Sequence, residues 1–128
     1  MTRVVIDASA FAALVFQEPA GAAVKDRLNG ATVFAPTLLQ YELTNVAWKK
    51  AKRQPAHAAR ILDALTLALG GAWGIVWQDV QPADVVIVAE ATGLTAYDAS
   101  YLWLAGSLGA DLVTLDEKIV TASARLAA

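Results

Sequence analysis

The sequence predicts an α/β fold, a three-layer sandwich with a mostly parallel central sheet flanked by helices. Two observations carry this. Short β-branched runs alternate with helical segments along the whole chain. Two of those runs, Val4-Val5-Ile6-Asp7 and Leu112-Val113-Thr114-Leu115-Asp116, end on an aspartate. Both acids then fall at the C-terminal ends of strands, the edge where ligands collect in such sheets. With 128 residues, 57% hydrophobic and 17% charged, the chain reads as a single domain, 1–128, with a real core.

Each element has a local reason. Arg3–Asp7 is short, apolar and β-branched, hence a strand. Ala8–Phe16 reads as a helix ended near Pro19, and Ala20–Asn29 as a second, stopped by Gly30. Thr32–Ala35 is a short strand. A long helix follows Pro36-Thr37 and runs to about Arg53, with Thr37 and Gln40 spaced as a capping box. Beyond Pro55, Ala56–Leu69 is a helix stopped by Gly70-Gly71. Ile75–Gln78 is a third strand. Pro82 suits the first position of a helix reaching about Thr92, with Asp84 favourable in its first turn and Gly93 as its stop. Thr95 caps the next helix, which Gly109 ends. Asp111–Leu115 is the fourth strand and Glu117–Leu126 the last helix. No repeat, linker or low-complexity segment interrupts this order.

Composition excludes several chemistries. There is no cysteine, so disulfides, zinc–thiolate sites and cysteine nucleophiles are ruled out, and a reducing cytoplasm is the expected setting. Ten basic and twelve acidic residues give a net charge of -2, which does not mark a general nucleic-acid binder. No signal peptide is visible, and the longest uncharged stretch, Ala64 to Gln78, is too short to span a bilayer. The sole histidine, His57, stands far in sequence from the acids that matter. The glycines at 70, 71 and 74 lack the lysine and the preceding strand of a phosphate loop.

Four acids stand in apolar surroundings: Asp7, Glu42, Asp98 and Asp116. A buried carboxylate is costly unless it is paired or binds a cation. Three of the four have a structural explanation. Asp7 can cap the helix at Ala8, Asp98 is the third residue of a Thr-x-x-Asp box, and Asp116 can cap the last helix. Glu42 has none, being mid-helix with Leu38 and Val46 on its own face. Gathered at one edge, several carboxylates repel by roughly 4 kcal/mol per pair at about 4 Å and an effective dielectric near 20. An oxygen-rich set of this kind suits Mg²⁺ or Mn²⁺. Ser9 and Thr114 lie close in sequence to two of the acids and can add hydroxyls. Lys49, Lys50, Lys52 and Arg53 close the long helix, either as a solvated end that complements the helix dipole or as phosphate contacts. Trp48, Trp73, Trp77 and Trp103 read as core or subunit-interface residues.

Four ordered segments resemble the PIN-domain family, in particular the VapC toxins of toxin–antitoxin modules. They are Val4-Val5-Ile6-Asp7-Ala8-Ser9-Ala10, Leu39-Gln40-Tyr41-Glu42-Leu43-Thr44-Asn45-Val46, Thr95-Ala96-Tyr97-Asp98-Ala99-Ser100-Tyr101 and Leu112-Val113-Thr114-Leu115-Asp116. The resemblance implies a PIN-like sandwich and a Mg²⁺- or Mn²⁺-dependent endoribonuclease. Asp7, Glu42, Asp98 and Asp116 would be its acidic metal site, and Ser9 and Thr114 its supporting polar residues. It further implies an RNA substrate, a homodimer and a VapB-type antitoxin; no membrane association is expected, from the shortness of the uncharged stretch. Two other functions fit acids at sheet ends. A receiver-like phosphoacceptor domain needs a lysine near the acid, for which Lys118 is the only candidate. A non-catalytic PIN-like module would only bind a partner.

Overall fold

The structure is a computed structural model that describes residues 2–127. Met1 and Ala128, included in the single-domain reading 1–128, lie outside the described residues. Four strands form one sheet: β1 (Thr2–Ile6), β2 (Ala31–Pro36), β3 (Val76–Gln78) and β4 (Asp111–Val113). Their order is β3-β2-β1-β4, and every pairing is parallel, so the mostly parallel sheet expected is wholly parallel among the described residues. β1 is interior and apolar on both faces, as a strand covered on two sides must be, with Val4, Val5 and Ile6 buried.

Helices supply both covers. They are α1 (Ala8–Val15), α2 (Gly21–Leu28), α3 (Leu38–Arg53), α4 (Ala58–Leu67), α5 (Pro82–Thr92), α6 (Ala96–Leu108) and α7 (Glu117–Ala127). The core joins Val4, Val5 and Ile6 to Phe11 and Leu14 of α1, Leu39 and Leu43 of α3, and Tyr101 and Leu104 of α6. α2 packs tightly on α1 at Gly21, where an added Cβ would sit 2.5 Å from the Ala13 carbonyl oxygen. A side chain there cannot be accommodated without moving backbone. Gly93 and Gly109 end α5 and α6 in the left-handed region, as their positions in the sequence require.

Three local expectations are corrected. Thr37 does not cap α3: its backbone is already helical and its side chain makes no capping bond. Its amide instead binds Gln78 O at 3.3 Å, which ties the helix start to β3. The stop at Gly70-Gly71 is a π-helical turn, Ala68–Ala72, whose break falls on Gly71 at φ 97°. β4 ends at Val113, two residues before the predicted Leu115, because Thr114 and Leu115 leave the ladder for bonds described below.

Candidate functional site

Asp7 stands where β1 becomes α1. Its amide still follows the sheet, donating to Val113 O at 3.2 Å. Its Oδ1 accepts the Ala10 amide at 3.0 Å and so caps α1. The Ser9 hydroxyl donates to the same oxygen at 2.7 Å, and the Thr114 hydroxyl donates to Oδ2 at 2.5 Å. Both hydroxyls accept in turn. The Leu115 amide donates to Ser9 Oγ at 2.9 Å, and the Asp116 amide to Thr114 Oγ1 at 3.0 Å. Two backbone amides of the segment after β4 are thus relayed through two hydroxyls into one buried carboxylate. Each hydroxyl has a single proton, and both protons are committed to Asp7. Oδ1 is then saturated, while Oδ2 keeps one lone pair for a ligand.

The other acids come from three further elements. Asp116 caps α7, its Oδ1 accepting the Lys118 amide at 2.8 Å. Asp98 occupies the first turn of α6, and its amide donates to the Thr95 hydroxyl at 3.2 Å. The capping explanations therefore hold for Asp7 and Asp116, and Thr95 caps α6 as expected. Glu42 is half-buried on α3, and the phenol of Tyr101 on α6 donates to its Oε1. Tyr101 is fully buried and otherwise a core residue. The sequence carried a signal for it: it stands at i+3 from Asp98, on the same helix face.

Electrostatics connect these acids. Burial pushes the Asp7 carboxyl above its ordinary range, against the opposing pull of the Thr114, Ala10 and Ser9 donors, and Asp116 repulsion raises it further. Glu42 is raised first by burial and also by Asp98 and Asp7, while the Tyr101 bond pulls it down. Asp98 is raised by burial and by Asp116 and Asp7, with Lys118 and Thr95 opposing. Burial and the Glu42 contact raise Tyr101, which keeps its phenol a donor. Asp7, Glu42 and Asp98 thus each sense at least one other acid of the set. Even so, among the described residues no three carboxylate or imidazole groups form a cluster that could hold a metal ion as they stand. The donor set is all oxygen, the chemistry of a hard divalent cation, but it is not a closed cage.

The remaining candidates separate. Lys49, Lys52 and Arg53 are exposed near the end of α3. Lys50 turns away from them. It pairs with Glu18 at 2.5 Å, and its ammonium lies 5.7 Å from the centre of the Phe16 ring. Trp77 and Trp103 are half-buried against the core. Trp48 is not a core residue: more than half of its surface, 55%, is exposed. Trp73 is also exposed, its ring nearly perpendicular to that of Phe11 with centroids 6.5 Å apart. Lys118 acts on Asp98 and not on Asp7, which weakens a phosphoacceptor site at the end of β1.

Comparisons with known proteins agree with this architecture. Residues 4–124 match the family described as the PIN domain. Ribonuclease VapC3 of Pyrobaculum aerophilum is 31% identical over 121 residues, covering 91% of this chain and 92% of that protein. Ribonuclease VapC12 of Mycobacterium tuberculosis is 31% identical over 118 residues, covering 91% of this chain and 88% of its own length. The crystal structure of PAE2754 from Pyrobaculum aerophilum superposes with a TM-score of 0.76 at 28% identity, covering 95% of this chain and 85% of that one.

Proposed function

The chain belongs to the PIN-domain family, and from that premise we propose that it is a divalent-metal-dependent endoribonuclease, the toxin of a type II toxin–antitoxin pair. The observation that carries the proposal is the convergence of four acids from separate parts of the chain: Asp116 repels Asp7 and Asp98, and Asp7 and Asp98 repel Glu42. The names of the two ribonuclease relatives support the reaction class. Asp7, Asp98 and Asp116 would hold Mg²⁺ or Mn²⁺, directly or through water. Glu42 would position the ion or a water molecule. The all-oxygen donors fit such an ion, and their spacing calls for water to complete the shell.

When bound, the ion would neutralise the clustered carboxylates and the charge developing on the phosphoryl group. The chain's own part is positioning. Asp7 is held by three donors and presents one free lone pair. Glu42 has one oxygen fixed by Tyr101 and the other available to orient a water molecule. That water attacks the phosphodiester in line. The bond to the 3′ oxygen breaks and that oxygen takes up a proton, leaving a 3′-hydroxyl and a 5′-phosphate. No histidine or cysteine lies among the donors described.

The substrate is RNA. The proposed partners are a VapB-type antitoxin and a second copy of the chain, with the cytoplasm as the compartment. Exposed Val86 and Ile87 on α5 and Val120 and Leu126 on α7 supply apolar surface for such contacts. Among the described residues no helix is long and apolar enough to cross a membrane. The test is incubation of purified protein with a mixed RNA pool in Mg²⁺, in Mn²⁺ and in chelator, with the new termini identified. Cleavage only with metal, giving 5′-phosphate ends, is expected. Equal cleavage in chelator, or cyclic-phosphate ends, would overturn the mechanism.

A further inference from the structure

α3 carries two adjacent lines of exposed residues that the acid cluster does not use. Tyr41, Asn45, Trp48 and Lys52 recur at i, i+4, i+7 and i+11, and so run along one face. Lys49 and Arg53 stand at i+7 and i+11 from Glu42, on the neighbouring line. All six are exposed, Tyr41 by 73% and Trp48 by 55%. Lys52 places its ammonium 3.9 Å from the centre of the Trp48 ring, which fixes the indole and sets a cation beside it.

We propose that this stripe is a single-stranded RNA platform, with Tyr41 and Trp48 stacking bases and Lys49, Lys52 and Arg53 following the backbone. The proposal rests on the ribonuclease reading and extends it to substrate form. Aromatic faces interleaved with cations are what sequence-tolerant single-strand binding uses. A protein partner suits the stripe less well, because interface cores are depleted in lysine and burying three cations there is costly. The stripe begins one residue from Glu42. It runs about 16 Å from Glu42 to Arg53 at the helical rise, so a strand laid along it would lead toward the acids. Lys50, committed to Glu18, takes no part.

The test is binding of labelled oligouridylate, about 12 nucleotides long, in chelator so that no cleavage occurs. Fluorescence anisotropy gives the affinity and its salt dependence. Tyr41→Ala with Trp48→Ala should weaken binding at least tenfold, with thermal stability unchanged. Lys49→Gln, Lys52→Gln and Arg53→Gln together should lower the log–log salt slope by about 2, that is about 0.7 for each phosphate left without its cation. Duplex RNA should compete poorly. Trp48→Leu keeps an apolar side chain and removes the indole. It must weaken binding too, which preserves the test if the double variant misfolds. Wild-type affinity in the aromatic variants overturns the proposal. So does a drop in sedimenting mass in those variants, since the stripe is then an interface between copies. A wild type that cleaves RNA while the variants bind as tightly as it does defeats the platform and leaves the nuclease reading intact. Stripe-dependent binding without any cleavage supports the platform and defeats the nuclease instead.

Discussion

Thr114→Val removes one oxygen and almost no volume, and with it go two short hydrogen bonds and a long 3.4 Å contact with the Ser9 hydroxyl. The first is the donation of the Thr114 hydroxyl to Asp7 Oδ2 at 2.5 Å, a bond to a charged acceptor worth about 1.5–3 kcal/mol. The second is the acceptance of the Asp116 amide at 3.0 Å, worth about 1 kcal/mol. The expected loss at neutral pH is therefore about 2.5–4 kcal/mol, measured by denaturant unfolding of metal-free protein. Thr114→Ser should recover most of it. The loss should also depend on pH. Burial raises Asp7 in the folded state, so between the ordinary carboxylate value and the raised one the folded protein binds more protons than the unfolded chain. Stability therefore rises as pH falls through that window and levels off below the ordinary value. The Thr114 hydroxyl supports the ionised form, so Thr114→Val moves Asp7 higher still. The penalty should be largest above the window and smaller below it. A loss under about 0.5 kcal/mol, or one that grows toward acid pH, would refute the relay from backbone amide through hydroxyl to Asp7.

Other substitutions probe separate parts of the fold. Tyr101→Phe leaves Glu42 Oε1 without its donor; stability should fall by about 1–2 kcal/mol and metal-dependent cleavage more than tenfold, assayed side by side. Asp98→Asn relieves repulsion with Asp116 and Asp7, so the metal-free protein should melt slightly higher at neutral pH while losing its Mn²⁺-induced rise in melting temperature. Gly21→Ala forces a methyl group against the Ala13 carbonyl and should cost about 1–3 kcal/mol in chemical denaturation with metal affinity unchanged.

Much of the fold was legible because its signals are local. Pro82 with Gly93, and Thr95 with Gly109, bracket α5 and α6 where the structure has them. The Asp7 and Asp116 caps were readable from their places ahead of Ala8 and Glu117. Thr37 misled because a capping box is a pattern of residue types, whereas here its backbone continues the helix and its amide goes to β3. The end of β4 misled for a related reason. Leu112 to Leu115 reads as one apolar run, but the bond that draws the Leu115 amide to Ser9 crosses the fold and leaves no mark in local sequence. The same holds for Tyr101 and Glu42, which are 59 residues apart. Lys50 shows the limit of reading a charge run as one feature: three of its four cations face solvent, and the fourth turns to Glu18.

The central claim, that the Asp7 cluster is the seat of metal-dependent RNA hydrolysis, is tested most directly by Asp7→Asn. The variant and the wild type are purified identically, shown to be folded, and assayed on the same RNA in Mg²⁺ and in Mn²⁺. Cleavage by the wild type is expected, with a loss of at least a hundredfold in the variant with either ion, about 2.7 kcal/mol or more of transition-state stabilisation. Undiminished cleavage by Asp7→Asn would contradict it.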